Sequence, residues 1–172
     1  MNYQNTEFED ENFINMDFSD MSFINSKFID CVFENCNLSG VNLNNTRFHN
    51  TTFKRCKLLG LDFSKCNDFV FSFNFEDCFL SYLIFTDMNL ENTVFLNCRI
   101  NDCDFVNTNL MNAIFEGSDL LNSIFIDSNL SFASFKNTSN YEIDPNKNIL
   151  KKTKFSIPEV LSLLNVFDIE IE

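Results

Sequence analysis

The side chains of this 172-residue chain that could do chemistry are seven Cys, a single His and 25 Asp and Glu. Thiols grouped with His would bind zinc or attack an acyl group. Neither arrangement is present as a motif: Cys31, Cys36, Cys56, Cys66, Cys78, Cys98 and Cys103 contain no C-x-x-C, and His49 has no implied acid partner. No nucleophile–base pair, phosphate-binding loop or metal set remains, so no enzymatic activity and no cofactor are expected. The carboxylates outnumber the 12 Lys and Arg, for a net charge of −13 and a pI near 4.3. Direct nucleic-acid binding through a general basic footprint is therefore not expected. The apolar runs are too short to span a bilayer, and Met1–Asn5 does not open a signal peptide. With 45% hydrophobic residues the chain is too apolar for disorder.

What positions these residues is a repeat, and phenylalanine reveals it. There are 23 Phe, no Trp, and only 3 Gly and 2 Pro. Phe8, Phe13, Phe18, Phe23, Phe28 and Phe33 are five apart, and Leu38, Leu43, Phe48, Phe53, Leu58 and Phe63 keep the phase. A second run goes from Phe75 to Phe135 in the same steps, giving 25 units in all. A period of five fits neither a helix nor a plain strand. It needs a chain that turns after each short extended piece. Two residues after each central apolar residue, 21 of 25 positions are Asn, Asp or Gly, the residues that tolerate left-handed backbone. Two residues before it, 17 of 25 are Ala, Ser, Thr or Cys. A small residue beside a large one, both inward, suits a narrow packed shaft.

Stretches such as Cys36-Asn37-Leu38-Ser39-Gly40 and Ser118-Asp119-Leu120-Leu121-Asn122 resemble the pentapeptide-repeat family, written A(D/N)Lxx. The resemblance covers about residues 6–137. It implies an all-β solenoid: a right-handed quadrilateral β-helix with four five-residue units per coil. The second run supports this coil independently. Phe alternates there with Leu or Ile, which puts Phe on two opposite faces. Asn89, Asn109 and Asn129 recur at every fourth unit, once per coil, as an expected amide ladder. About six coils at roughly 4.8 Å each make a shaft of about 30 Å.

The domain reading is 1–137 for the β-helix and 138–172 for a C-terminal capping and dimerisation module. From Phe63 to Phe75 the chain takes two more residues than two units need. The extra pair is expected between Asn67 and Ser72, with Phe69 or Phe71 covering a bulge or a joint. All seven Cys fall in the small inward slot, which reads as buried packing, and unpaired thiols fit a cytoplasmic protein. Cys36/Cys56 and Cys78/Cys98 should stack one coil apart. Beyond the repeat, 141–146 reads as a turn out of the shaft. A helix should start at Ser156 with a capping box to Glu159, and 168–172 alternates like a strand. Val160, Leu161, Leu163, Leu164 and Phe167 form its apolar side, a candidate homodimer interface. This tail resembles that of the Qnr and MfpA quinolone-resistance proteins, in which the C-terminal region joins two rods.

Residues 66–135 hold 10 acids and only Arg99, net −9. Over roughly 17 Å this is about one negative charge per 2 Å, close to the ~1.7 Å per charge of duplex DNA. The resemblance implies a DNA mimic that binds a type II topoisomerase, DNA gyrase or topoisomerase IV, with fluoroquinolone protection in some members. Candidate contacts are Glu76, Asp77, Asp87, Glu91, Asp102, Asp104, Glu116, Asp119 and Asp127. Against it, these acids fall on all four expected faces, and Arg47, Lys54, Arg55, Lys57 and Lys65 form a basic cluster near mid-rod. A charged shaft is also simply soluble. A third reading is a scaffold for another protein, through a patch of the outward Ile84, Val94, Leu96, Val106, Ile114, Ile124 and Ile126.

Overall fold

The structure, a computed structural model, describes residues 3–67, 71–167 and 169–170. Each five-residue unit is a short extended piece followed by a corner. Of the 25 corner residues, two places after each centre, 24 have positive φ. Asn, Asp and Gly take most of them because their left-handed conformer costs least. Arg55, Tyr82 and Phe132 adopt it despite their bulk, at φ 50°, 53° and 62°. Lys65 is the exception; it ends a short 3-10 helix, Phe63–Lys65.

Four units close one right-handed coil. Successive coils pair in parallel, each centre against the one four units on, as in Phe8↔Phe28, Phe13↔Phe33, Leu80↔Ile100 and Phe105↔Phe125. We number the four faces from these columns. The first carries Phe8, Phe28 and Phe48, then Leu90, Leu110 and Leu130. The second carries Phe13 and the Phe stacked on it. The third runs from Phe18 through Leu80 to Leu120. The fourth runs from Phe23 through Phe85 to Phe125.

The core is the shaft itself. On the second face eight rings, Phe13, Phe33, Phe53, Phe75, Phe95, Phe115, Phe135 and Phe155, stack with centroids 4.7–5.3 Å apart. The fourth face stacks Phe63, Phe85, Phe105 and Phe125 at 4.9–5.1 Å. The two columns meet edge to face across the axis; Phe105 and Phe115 lie 5.8 Å apart at 89°. This is the favoured quadrupole geometry, and it places Phe on opposite faces as the alternation predicts. The Asn ladder also forms: Asn109 Nδ2 donates to Asn89 Oδ1 at 2.9 Å and Asn129 Nδ2 to Asn109 Oδ1 at 3.4 Å.

The small inward slot does more than save space. Its hydroxyls donate to the carbonyl of a central residue one coil back: Thr46 to Phe23 O at 2.8 Å, Ser118 to Phe95 O at 2.8 Å and Ser128 to Phe105 O at 2.7 Å. The thiols do the same more weakly, Cys36 to Phe13 O at 3.2 Å and Cys56 to Phe33 O at 3.3 Å. Each of these buried groups thus has a partner. Ser, Thr and Cys outnumber Ala in this slot because they carry a donor.

At the phase break the regular coil offset still holds at Asn67, whose N–H reaches Thr46 O as Arg47 N–H reaches Ser26 O. It has grown by two at Phe73, which lies opposite Thr51. The extra pair therefore lies between Asn67 and Phe73. Phe73 fills the small slot, buried against Phe63 and Phe75 with centroids 5.1 and 5.0 Å away. Phe71 is half-buried and meets Phe73 edge-on at 4.6 Å. Phe69 lies outside the described residues.

The C-terminal segment differs most from expectation. Coil stacking continues past residue 137: Phe125 pairs with Ile143, Asn129 with Ile149 and Phe135 with Phe155. Residues 141–146 are part of the shaft rather than a turn out of it, and the solenoid has about seven coils rather than six. Stacking persists because Tyr141, Ile143 and Phe155 still supply the inward groups, although the strict spacing is lost. No α-helix follows among the described residues. Glu159–Leu164 forms one 3-10 helix, with Pro158 at its start and no side-chain cap. Ser156 Oγ instead accepts the Asn137 N–H at 3.0 Å, so the capping box does not form. So short a segment, tethered to the shaft, is too brief to nucleate a stable α-helix. Ser162 Oγ holds the turn by donating to Tyr141 O at 3.2 Å. Of the expected strand 168–172, Ile169 and Glu170 belong to no strand; the rest lies outside the described residues.

Candidate functional site

The nine candidate acids sit on the shaft in two ways. Asp77, Asp87, Asp102 and Asp127 are corner residues with φ of 54–62°. They are there for the turn as much as for charge, and the next coil binds some of them. Asn107 Nδ2 donates to Asp87 Oδ1 at 2.6 Å and Asn122 Nδ2 to Asp102 Oδ1 at 3.1 Å. Glu76, Asp104, Glu116 and Asp119 flank centres. Glu76 pairs with Lys54 at 3.1 Å. Glu116 Oε1 accepts from Ser134 Oγ at 2.6 Å. Asp119 Oδ1 accepts from Leu121 N at 3.2 Å and Asn140 Nδ2 at 2.8 Å. Glu91 flanks Leu90 and is exposed on the first face.

The structure does not gather these acids on one stripe. Glu76, Asp77 and Glu116 belong to the second face, Asp102 and Asp119 to the third, Asp87, Asp104 and Asp127 to the fourth. The result is a shaft negative all round, with charges fixed at intervals of one coil. Asn–carboxylate bonds between coils keep the corner carboxylates from wandering.

The basic residues prove to be a belt around one coil. Arg47 is on the first face, Lys54 and Arg55 on the second, Lys57 on the third and Lys65 at the corner after the fourth. Acids answer several of them: Lys54 binds Glu76, Arg55 binds Glu34, and Lys65 lies 4.0 Å from Asp62. Arg47 Nη2 donates to Asn67 Oδ1 at 3.3 Å. Beyond the belt, Arg99 is the one base between residues 66 and 135, and the next is Lys136.

The outward β-branched residues do not form a single patch. Val94, Leu96 and Ile114 are on the second face and half-buried, while Ile84, Val106, Ile124 and Ile126 are on the opposite, fourth face. Of these seven, only Ile84 and Ile124 are exposed.

Among the thiols, six are buried and Cys66 is half-buried, and all seven are free. Cys36, Cys56, Cys78 and Cys98 stack along one corner; the N–H of Cys36 reaches Cys56 Sγ at 3.4 Å, and that of Cys56 reaches Cys78 Sγ at 3.4 Å. The Cys36 thiol is pushed up by its bond to Cys56 and by burial. For Cys56 the Cys36 contact lowers the pKa, but the Cys78 contact and burial outweigh it, leaving about 12. Burial above all takes Cys103 to about 12. Such thiols are poor nucleophiles at neutral pH. Among the described residues no three His, Cys, Asp or Glu are arranged to hold a metal ion.

The five candidate dimerisation residues all fall at the shaft's C-terminal end. Val160 and Leu163 are half-buried against it. Leu161, Leu164 and Phe167 are 43%, 36% and 47% exposed, beside the exposed Ile157 and Val166. Between this turn and the fourth face runs a groove of about 520 Å³, lined in part by Ile124, Ile126, Ile143 and Val166. Among the described residues no helix is long and apolar enough to cross a membrane.

The shaft can be set beside known proteins. No curated protein sequence matches it. Two solved structures, both of trypsin-treated variants of QnrB1, a plasmid-mediated fluoroquinolone resistance protein, share its fold. One superposes with a TM-score of 0.76 at 17% identity, the other with 0.71 at 18%. Each comparison covers 99% of this chain and 92% of the other. A family model for a pentapeptide repeat region matches residues 6–74 and 26–101, and one for pentapeptide repeats in eight copies matches 103–139. With the corners, the stacked centres and these matches in agreement, the chain belongs to the pentapeptide-repeat family.

Proposed function

We propose that this chain is a non-enzymatic cytoplasmic protein that acts as a DNA mimic, occupying the basic DNA-binding saddle of a type II topoisomerase, DNA gyrase or topoisomerase IV. The observation that carries the reading is the net −9 between residues 66 and 135, displayed on a rigid shaft. Glu76, Asp77, Asp87, Glu91, Asp102, Asp104, Glu116, Asp119 and Asp127 would face the enzyme's cationic groove, where fixed charges steer association. A saddle covers only part of the rod's circumference, and with acids on every face some of them meet its groove in any orientation of the rod. The pairing of Lys54 with Glu76 removes part of the objection raised by the basic belt. The likeness to a fluoroquinolone resistance protein supports the same direction at the level of fold. The exposed apolar end, with Leu161, Leu164 and Phe167, would join two copies into a longer rod.

A supercoiling assay with DNA gyrase, with and without ciprofloxacin, tests this. The expected outcome is inhibition of supercoiling or protection from the drug at micromolar protein. Neither effect at that concentration would sink the topoisomerase reading and leave the alternative, a scaffold for another protein partner.

A further inference from the structure

We propose that the edge between the third and fourth faces binds a basic amphipathic helix of a protein partner. The edge combines exposed apolar groups with acids in a regular order. Along the fourth face, successive coils present Ile84, Asp104, Ile124 and Glu142, joined by parallel pairing. At the adjoining corner, Tyr82 is 61% exposed and Asp102 stacks one coil above it. Leu121 is 45% exposed and Ile124 44%. Solitary exposed apolar residues are ordinary; here they alternate coil by coil with carboxylates along one edge, which gives the edge an order that an apolar and cationic partner can match.

Charge selects the partner. Among the described residues, no Lys or Arg forms an ion pair with Asp102, Asp104 or Glu142. Asn122 donates to Asp102 Oδ1, but the charge of all three carboxylates is left to a cation from outside. They also repel nucleic acid and anionic lipid, which rules against both as occupants.

Spacing selects its shape. Rings on successive coils of the fourth face are 4.9–5.1 Å apart, and an α-helix advances about 5.4 Å per turn. A helix lying along the edge offers one residue per coil. Apolar residues alternating with Lys or Arg on successive turns would meet Ile84, Asp104, Ile124 and Glu142 in order. At the C-terminal end, the groove beside Val166 receives a last apolar side chain. This inference shares Asp102 and Asp104 with the topoisomerase reading, but the apolar Ile84, Leu121 and Ile124 belong to it alone, so the Leu121→Ser with Ile124→Ser variant tests it separately.

The test uses the full chain and a dye-labelled helical peptide of about 15 residues, with Leu and Lys alternating by turns on one face. A scrambled peptide of the same composition controls for charge. Fluorescence anisotropy should show the patterned peptide binding at least about tenfold tighter than the scrambled one. Leu121→Ser with Ile124→Ser should cost about tenfold, and Asp102→Asn with Asp104→Asn a similar amount. The charge-matched control Glu9→Gln with Glu11→Gln, far from the edge, should change affinity by less than about twofold. Unchanged circular dichroism shows that each variant is folded. Equal binding of both peptides, or equal loss in the control variant, would overturn the proposal.

Discussion

At the residue scale, one slot explains most of the chemistry that looked available. The residue two places before each centre must be small, must face inward and does best with a donor for the carbonyl one coil back. Cys meets these demands, which is why the thiols are buried and hydrogen-bonded rather than reactive. The same burial makes a pH prediction. Cys56, Cys78 and Cys103 titrate near 12 in the fold against about 8.5 in an unfolded chain. The folded state holds these protons longer, so its stability is full below about pH 8.5 and is lost as pH rises through the folded values. Thermal denaturation followed from about pH 8 upward should therefore show a falling Tm. Cys103→Ser should flatten the fall, because Ser fills the same slot at Ser118 and Ser123 with its donor intact and does not ionise. An identical slope in wild type and variant would show that the thiols do not control it.

At the element scale, the stabilising unit is the ring column, since each strand is only two to four residues long. Phe95 is fully buried, and its ring lies 4.8 Å from Phe115 at an interplanar angle of 1°. Phe95→Ala should cost about 3–5 kcal/mol in urea denaturation, because the stacked coils cannot collapse into the gap. Phe79→Ala, at a residue 36% exposed, should cost less than about 1 kcal/mol. Similar losses at both positions would refute the column as the core. This column, the corners and the coil length were legible in the sequence because each repeats one steric demand at a fixed spacing. The last coil was harder to read. Ile143 arrives two places too early to stack on Phe125 by the regular spacing, yet it does so. Asp144-Pro145 resembles an exit turn, while Phe155 keeps step with Phe135. The small slot read as packing alone, because its donor role depends on a carbonyl in the previous coil. Ile84 and Ile124 read as outward among seven apolar residues that strands favour anyway, but the sequence does not show that they alone of the seven stay exposed, nor that the corner Tyr82 lies beside them. Nor does the linear order show that Lys54 faces Glu76, since the pairing crosses the phase break.

At the scale of the whole molecule, the shaft's ends carry the remaining questions. Open solenoid ends expose core and strand edges and need covering. Removing residues 157–172 takes away the 3-10 helix and its exposed Leu161, Leu164 and Phe167 but leaves the Phe155 ring in place. That variant should stay folded and run as a monomer in light scattering, where the full chain is expected to run as a dimer; a persistent dimer would place the interface elsewhere. Removing 138–172 also deletes the last coil and uncovers Phe125 and Phe135, so it should have a lower Tm and aggregate. Equal stability of the two truncations would mean the last coil adds nothing. The parallel register has one more consequence. Because each coil matches the next strand for strand, duplicating one whole coil lengthens the rod by a step and leaves every face where it was. Duplicating a single five-residue unit would instead turn everything downstream by a quarter revolution and swing Ile124 away from Ile84. Length in such a protein can drift in whole coils, but its surface pattern survives only insertions that are either a full revolution or, like the extra pair between Asn67 and Phe73, made up before the strands pair again at Phe73.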